Sequence, residues 1–227
     1  MTARKDFLWN KPYFFNLLYS FSLFGSSPSK PIQNLYPLLL TTKAVIKLQK
    51  KILANPAYQP VLSQLQEEIT LIKQSETPLL TDEDPESSYL TQALEQLKEI
   101  AIDYTFIDLN RDGQKELLIG NPQKILAIYY LNQENQAVIA LSAGRISQQR
   151  ERRSLVIYED GTIVIKYFTG QETTVQADSY RITNQNLLPV KNITYRLSDT
   201  TEPVTLLGLD QVASIDTSSL FWYSFDE

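Results

Sequence analysis

Cysteine and histidine are both absent from this chain of 227 residues. Without Cys there are no disulfides, no thiolate zinc sites, no cysteine nucleophile and no Cys to carry a lipid anchor. Without His the usual general base, the usual zinc and iron ligand and every Ser-His-Asp or Cys-His device are missing. Any catalysis would have to rest on carboxylates, Lys, Tyr or a bound metal. A basic excess is lacking too: the net charge is −5 and the pI about 5.0, which argues against a protein devoted to nucleic acid. No apolar run is long enough to cross a bilayer. The segment YFFNLLYSFSLFGSS, from Tyr13, is apolar for about a dozen residues, where a span needs about 20.

What is present begins with that segment. Arg4 and Lys5 precede it and Gly25, Ser26 and Ser27 follow it, the outline of a secretory signal. Asn16 interrupts the run and no A-x-A cleavage site follows, so a buried or interfacial aromatic helix is the other reading. Next comes a helical region. Val45, Leu48 and Ile52 recur at helical spacing over Thr41–Ala54, and Asn55-Pro56 stops that run. Val61, Leu65, Ile69 and Ile72 make a second stripe, and Leu90, Leu94, Leu97 and Ile100 a third, started at Asp84-Pro85 or Ser87. From Tyr104 the apolar period falls to two, in short Ile-, Val-, Leu- and Tyr-rich runs separated by turn residues, as in an antiparallel meander. YEDGTIVI reads as a hairpin with Asp160-Gly161 in a type I′ turn, and DSYRIT, NITYRL and VTLLGL as further strands. The expected architecture is α+β: N-terminal helices followed by an antiparallel β-meander sheet. Its parts are residues 1–30, a signal-like or aromatic segment; 31–80, a helical region; and 81–227, an α+β domain.

The chemistry is concentrated between the first two strands, in D-L-N-R-D-G-Q-K-E. Asp108, Asn110 and Asp112 occupy positions 1, 3 and 5, Gly113 position 6, the Gln114 carbonyl position 7 and Glu116 position 9. Calcium takes six to eight hard oxygen donors, and alternate residues of a curled loop can aim such donors inward. Three carboxylates so close together repel one another unless a cation joins them. The EF-hand comparison stops at position 12, which is Ile119, and the segment after the loop is strand-like. The expectation is a strand–loop–strand Ca²⁺ site with Asp108, Asn110, Asp112, Gln114 and Glu116 as ligands and water completing the sphere. A polar hairpin turn built on Asp112-Gly113 is the alternative.

The stretch YTFIDLNRDGQKELLIG, preceded by a helix and followed by ILAIYYL, resembles a group of secreted proteins and lipoproteins of Gram-positive bacteria. Their hallmark is Y-x-x-x-D-[IL]-[DN]-x-D-G-x-x-E-L-[LI]. The loop is also similar to the calcium loops of FG-GAP and integrin-type repeats, where the positions of Asp108, Asn110, Asp112, Gln114 and Glu116 supply the ligands. The resemblance covers residues 86–185 and includes RRSLVIYEDGTIVIKYFTG and DSYRI. It implies export and calcium rather than a reaction.

Two other features have competing readings. Arg145, Arg150, Arg152 and Arg153 could grip phosphates or an acidic polymer, or form a solvated connection whose charges discourage edge pairing. The aromatic ends, DFLWNKPYFF and SSLFWYSFDE, could be a ligand platform or segments docked on the core. The sequence therefore suggests a non-enzymatic, exported calcium-binding domain of the cell envelope that presents a surface to an envelope or host macromolecule. A cytoplasmic interaction or immunity-type protein without metal is one alternative. A metal-assisted hydrolase, which would need an open coordination position beside a cleft, is another.

Overall fold

A computed structural model of the chain describes residues 55–74, 85–97, 100–146, 151–169 and 173–225. These residues belong to one compact unit, Ile46–Glu227. The N-terminal aromatic segment and the helix expected over Thr41–Ala54 lie outside the described residues.

Asn55-Pro56 starts a helix. The Asn55 Oδ1 accepts the Ala57 N–H at 3.1 Å, capping a 3₁₀ turn, Pro56–Tyr58, that runs into α1, Gln59–Gln74. Leu62, Leu65, Ile69 and Ile72 form the buried stripe of α1, with Val61 half-buried at its margin. Helix α2, Pro85–Gln96, opens on its proline and buries Tyr89, Leu90, Ala93 and Leu94. It stops before Leu97, so Ile100 is not part of the stripe and stands 47% exposed.

The meander divides into two antiparallel sheets. In the first the order is β10 (Tyr223–Ser224), β1 (Asp103–Ile107), β2 (Glu116–Asn121), β3 (Lys124–Leu131), β4 (Ala137–Ser142). In the second it is β5 (Gly144–Ile146), β6 (Glu151–Ile157), β7 (Ile163–Thr169), β8 (Thr174–Thr183), β9 (Asn186–Arg196). The break falls at Ala143, whose N–H still donates to the Leu126 carbonyl at 2.7 Å. One residue on, the Gly144 backbone passes so close to the Tyr89 carbonyl of α2 that a Cβ there would overlap it. The sheet is therefore turned aside where it meets the helix.

Packing forms three apolar layers. α1 and α2 cover one face of the first sheet through Leu117, Ile119, Leu126 and Ala127. Leu118, Ile125 and Ile128 face the second sheet and meet Ile157, Ile163, Ile165 and Ile182. Every residue of β2 is buried, as a strand covered on both faces must be. The outer face of the second sheet carries Val164, Val175, Ala177 and Tyr195, closed by Leu207 and Leu209.

VTLLGL is not a strand. It lies in a short helix, α3, Pro203–Leu207, with proline at its start and Gly208 left-handed at φ 80° as its end. That placement of Pro and Gly is a helix signature that outweighs the apolar alternation. The Asp160-Gly161 turn also differs from expectation. Of the two residues only Gly161 is left-handed, at φ 81°. The Tyr158 N–H donates to the Thr162 carbonyl at 2.8 Å, which makes a three-residue loop. Paired left-handed residues of type I′ kind occur instead at Asn184 (φ 49°) and Gln185 (φ 60°), between β8 and β9.

Of the C-terminal aromatics Tyr223 and Phe225 dock, whereas Phe221 stands 60% exposed. Tyr223 pairs with Tyr104 across the β10–β1 edge with ring centroids 5.4 Å apart, and the Phe225 ring lies 5.0 Å from that of Tyr104. Arg153 is likewise part of the architecture rather than a solvated connection. It pairs with Glu86 at 2.7 Å and lies 3.5 Å over the Tyr89 ring, while the same Glu86 carboxylate accepts the Ser142 N–H at 2.6 Å. Arg152 lies over the Phe168 ring, and Arg150 is outside the described residues.

Gly161 is where the second sheet meets the loop of the first, because a Cβ there would run into the Leu109 carbonyl oxygen. Gly161→Ala is expected to destabilise the fold by about 2 kcal/mol through backbone strain and overlap together. Urea denaturation of wild type and variant measures it, and a change within error would mean that this contact is loose.

Candidate metal centre

The pairing of Ile107 with Glu116 closes the neck of the loop, so residues 108–115 project from the β1–β2 hairpin. Short Asp and Asn side chains bend a chain by accepting N–H groups a few residues on, and this loop does so repeatedly. Asp108 accepts the Asp112 N–H at 3.1 Å with one carboxylate oxygen and the Gly113 N–H at 3.0 Å with the other. Asn110 Oδ1 accepts the same Asp112 N–H at 3.0 Å, and Asp112 Oδ1 accepts the Gln114 N–H at 2.7 Å. The Asn110 amide donates to the second Asp112 oxygen at 2.8 Å. Arg111 and Gly113 are left-handed, at φ 61° and 89°, which curls the backbone around these side chains.

The structure therefore brings Asp108, Asn110 and Asp112 together on the inside of one curl. Glu116 lies at its base. It is only 3% exposed, and its Oε2 accepts the Leu109 N–H at 2.8 Å. Burial pushes its carboxyl up to about 7; the N–H groups of Leu109 and of Glu116 itself oppose the shift, and the Asp112 and Asp108 charges add to it. The Gln114 side chain turns away to accept from Gln185 Nε2 at 3.2 Å, in the β8–β9 turn, so its contribution to a cation would be the main-chain carbonyl. Asp108, Asp112 and Glu116 are not gathered into one carboxylate cluster: among the described residues no three His, Cys, Asp or Glu side chains form a group that could hold a metal ion. A hard cation here would therefore also draw on the Asn110 amide oxygen, the Gln114 carbonyl and water, a mixed donor set of the kind calcium takes.

Two partners of the loop had no signal in the sequence. Tyr58, fully buried at the foot of α1, has its hydroxyl pKa raised by burial and then by the Glu116 and Asp112 charges. Nothing in the spacing of Tyr58 and Glu116 links them. The β6–β7 turn also meets the loop: Arg111 Nη2 donates to the Glu159 carbonyl at 3.1 Å, beside Gly161. Leu109, at the loop's second position, is buried in the core between the two sheets.

A raised carboxyl pKa in the folded state means that Glu116 favours folding fully below about pH 4.5, and that this contribution is lost as the pH rises through about 7. In calcium-free buffer that loss amounts to about 3 kcal/mol between the two limits. Glu116→Gln keeps an oxygen for the Leu109 N–H and removes the titration. The variant should therefore gain on wild type steadily across this range in urea-denaturation free energies. Parallel curves would show that Glu116 is solvated like an ordinary carboxylate.

The chain matches no protein-family model, no curated protein and no solved structure. The loop residues themselves thus carry the functional reading.

Proposed function

We propose that this chain is a non-enzymatic calcium-binding domain, exported to the cell envelope, in which the ion rigidifies the Asp108–Glu116 strand–loop–strand. The observation that carries this reading is the curl of Asp108, Asn110 and Asp112 above a buried Glu116 whose ionisation the two aspartate charges disfavour. A divalent cation would offset both the burial of Glu116 and the repulsion among the acids. Calcium suits the site better than magnesium, because the donors are several, mixed in kind and mounted on an irregular loop. Export follows from the same chemistry, since sites of this class bind with constants of about 10⁻⁴–10⁻³ M and fill only where calcium is abundant.

The N-terminal helices and the meander then act as a scaffold. The loop touches the β6–β7 turn through Arg111 and the β8–β9 turn through Gln114, so a filled site would hold three turns as one surface for an envelope or host macromolecule. Among the described residues no helix is long and apolar enough to cross a membrane. The second reading is a metal-free turn in an interaction protein. It is favoured by the N–H groups of Asp112 and Gly113, each of which already occupies one Asp108 oxygen.

Calorimetric titration decides between them. Wild type should bind one calcium ion and gain about 1–2 kcal/mol of stability at about 5 mM calcium. Asp108→Ala should lose both the heat and the gain. Thermal midpoints that coincide in chelator and in calcium would leave the metal-free turn as the answer.

A further inference from the structure

On another part of the molecule, a cleft of about 290 Å³ opens between the β2–β3 turn, the outer edge of β6 and the chain around Ser214–Thr217. Its origin lies in the sheet. β5 pairs with β6 only as far as Gly144 opposite Arg153. Beyond that, the 213–215 segment takes over the same edge: Ile215 N–H donates to the Ile157 carbonyl at 2.8 Å and Glu159 N–H to the Ala213 carbonyl at 2.9 Å. Between these two flanks, β6 is paired along this edge by neither at Leu155, and the cleft fills the gap.

The walls are mixed. Ile125, Leu155, Ile157 and Ile215 supply apolar surface, and Lys124 supplies a cation. Arg152 lies near enough for its charge to bear on Lys124, and both side chains are exposed. Among the described residues neither has a carboxylate partner. Partial burial of its stem, and secondarily the Arg152 charge, lower the Lys124 pKa. Lys124 in the wall of a partly apolar cleft, next to a strand edge with main-chain donors and with the charge of Arg152 in reach, makes a receptor for negative oxygens.

We infer that this cleft binds a small organic anion, a carboxylate or a phosphate on a short apolar body. Lys124 is the central contact, Arg152 adds attraction at the rim, and the aliphatic wall takes the body of the ligand. The site is separate from the calcium loop and does not depend on it.

The test uses the full chain, ¹⁵N-labelled, in calcium-free buffer at constant ionic strength, titrated separately with inorganic phosphate and with butyrate. Saturable shifts should occur at the Lys124, Leu155 and Ile215 amides and not at Asn135, in the distant β3–β4 turn. Lys124→Gln should weaken the saturating anion about tenfold and Arg152→Gln by less. Both residues are exposed, and each variant's spectrum reports whether the fold is kept; if Lys124→Gln fails to fold, Arg152→Gln alone decides. Saturation by phosphate alone assigns a phosphate-bearing ligand, and saturation by butyrate alone a carboxylate. The proposal is overturned by shifts that never saturate with either anion. Affinities equal to wild type in the folded variants overturn it too.

Discussion

A nearly buried carboxylate at the foot of the loop sets the terms for the loop region. Glu116 begins the central, doubly covered strand β2, so its backbone position is dictated by the sheet and its side chain is almost fully buried. The Leu109 N–H gives it one good hydrogen bond, but a single neutral donor does not repay the burial of a full charge. Two compensations are open to the group. It can take a proton, which its position near neutrality makes easy, or it can share a cation with Asp108 and Asp112. The first needs only Glu116; the second would also engage Asp108 and Asp112, whose oxygens the N–H groups of the curl already occupy.

The same loop is a joint between the two sheets. Leu109 is anchored in the intersheet core, its carbonyl lies against Gly161, and Gln114 reaches Gln185 on the far turn. Order in the loop and order at the sheet–sheet contact are therefore coupled. The loop thus makes direct contact with both the β6–β7 and the β8–β9 turns at one end of the sheets. Tyr58 extends the coupling to the helical layer, since its ring packs against Phe106 of β1, 5.7 Å between centroids, while its hydroxyl lies in the field of Glu116.

How much of this could be read beforehand depends on whether the cause was local. The stripe of α1, the start of α2 at Pro85 and most strands followed from periodicity, because burial on one face is written into neighbouring residues. The curl of Asp108, Asn110 and Asp112 was legible for the same reason, as short polar side chains act on N–H groups two to five residues away. The misreadings have non-local or competing causes. VTLLGL alternates like a strand, but Pro203 and Gly208 fix helix ends there. Asp160-Gly161 looks like a two-residue turn until the Tyr158–Thr162 bond sets the loop at three. The division into two sheets was invisible because it comes from the approach of α2 to Gly144, far away in sequence. Arg153 read as a surface charge because Glu86 and Tyr89, its partners, precede it by more than sixty positions.

Sheet edges unify the remaining features. The first sheet closes one edge with the two residues of β10, whose aromatic neighbours cover Tyr104 and Phe106. The second closes the edge of β6 with two separate pieces, β5 and the 213–215 segment, that do not meet. An edge capped piecewise keeps its length short enough to resist pairing with another chain, and it leaves an interruption where main-chain polar groups and apolar side chains face one small space. Lys124 stands at that interruption because the tight β2–β3 turn, held by Asn121 accepting the Gln123 and Lys124 N–H groups at 3.0 Å, delivers it there. The device that protects the edge is thus also the device that builds the cleft.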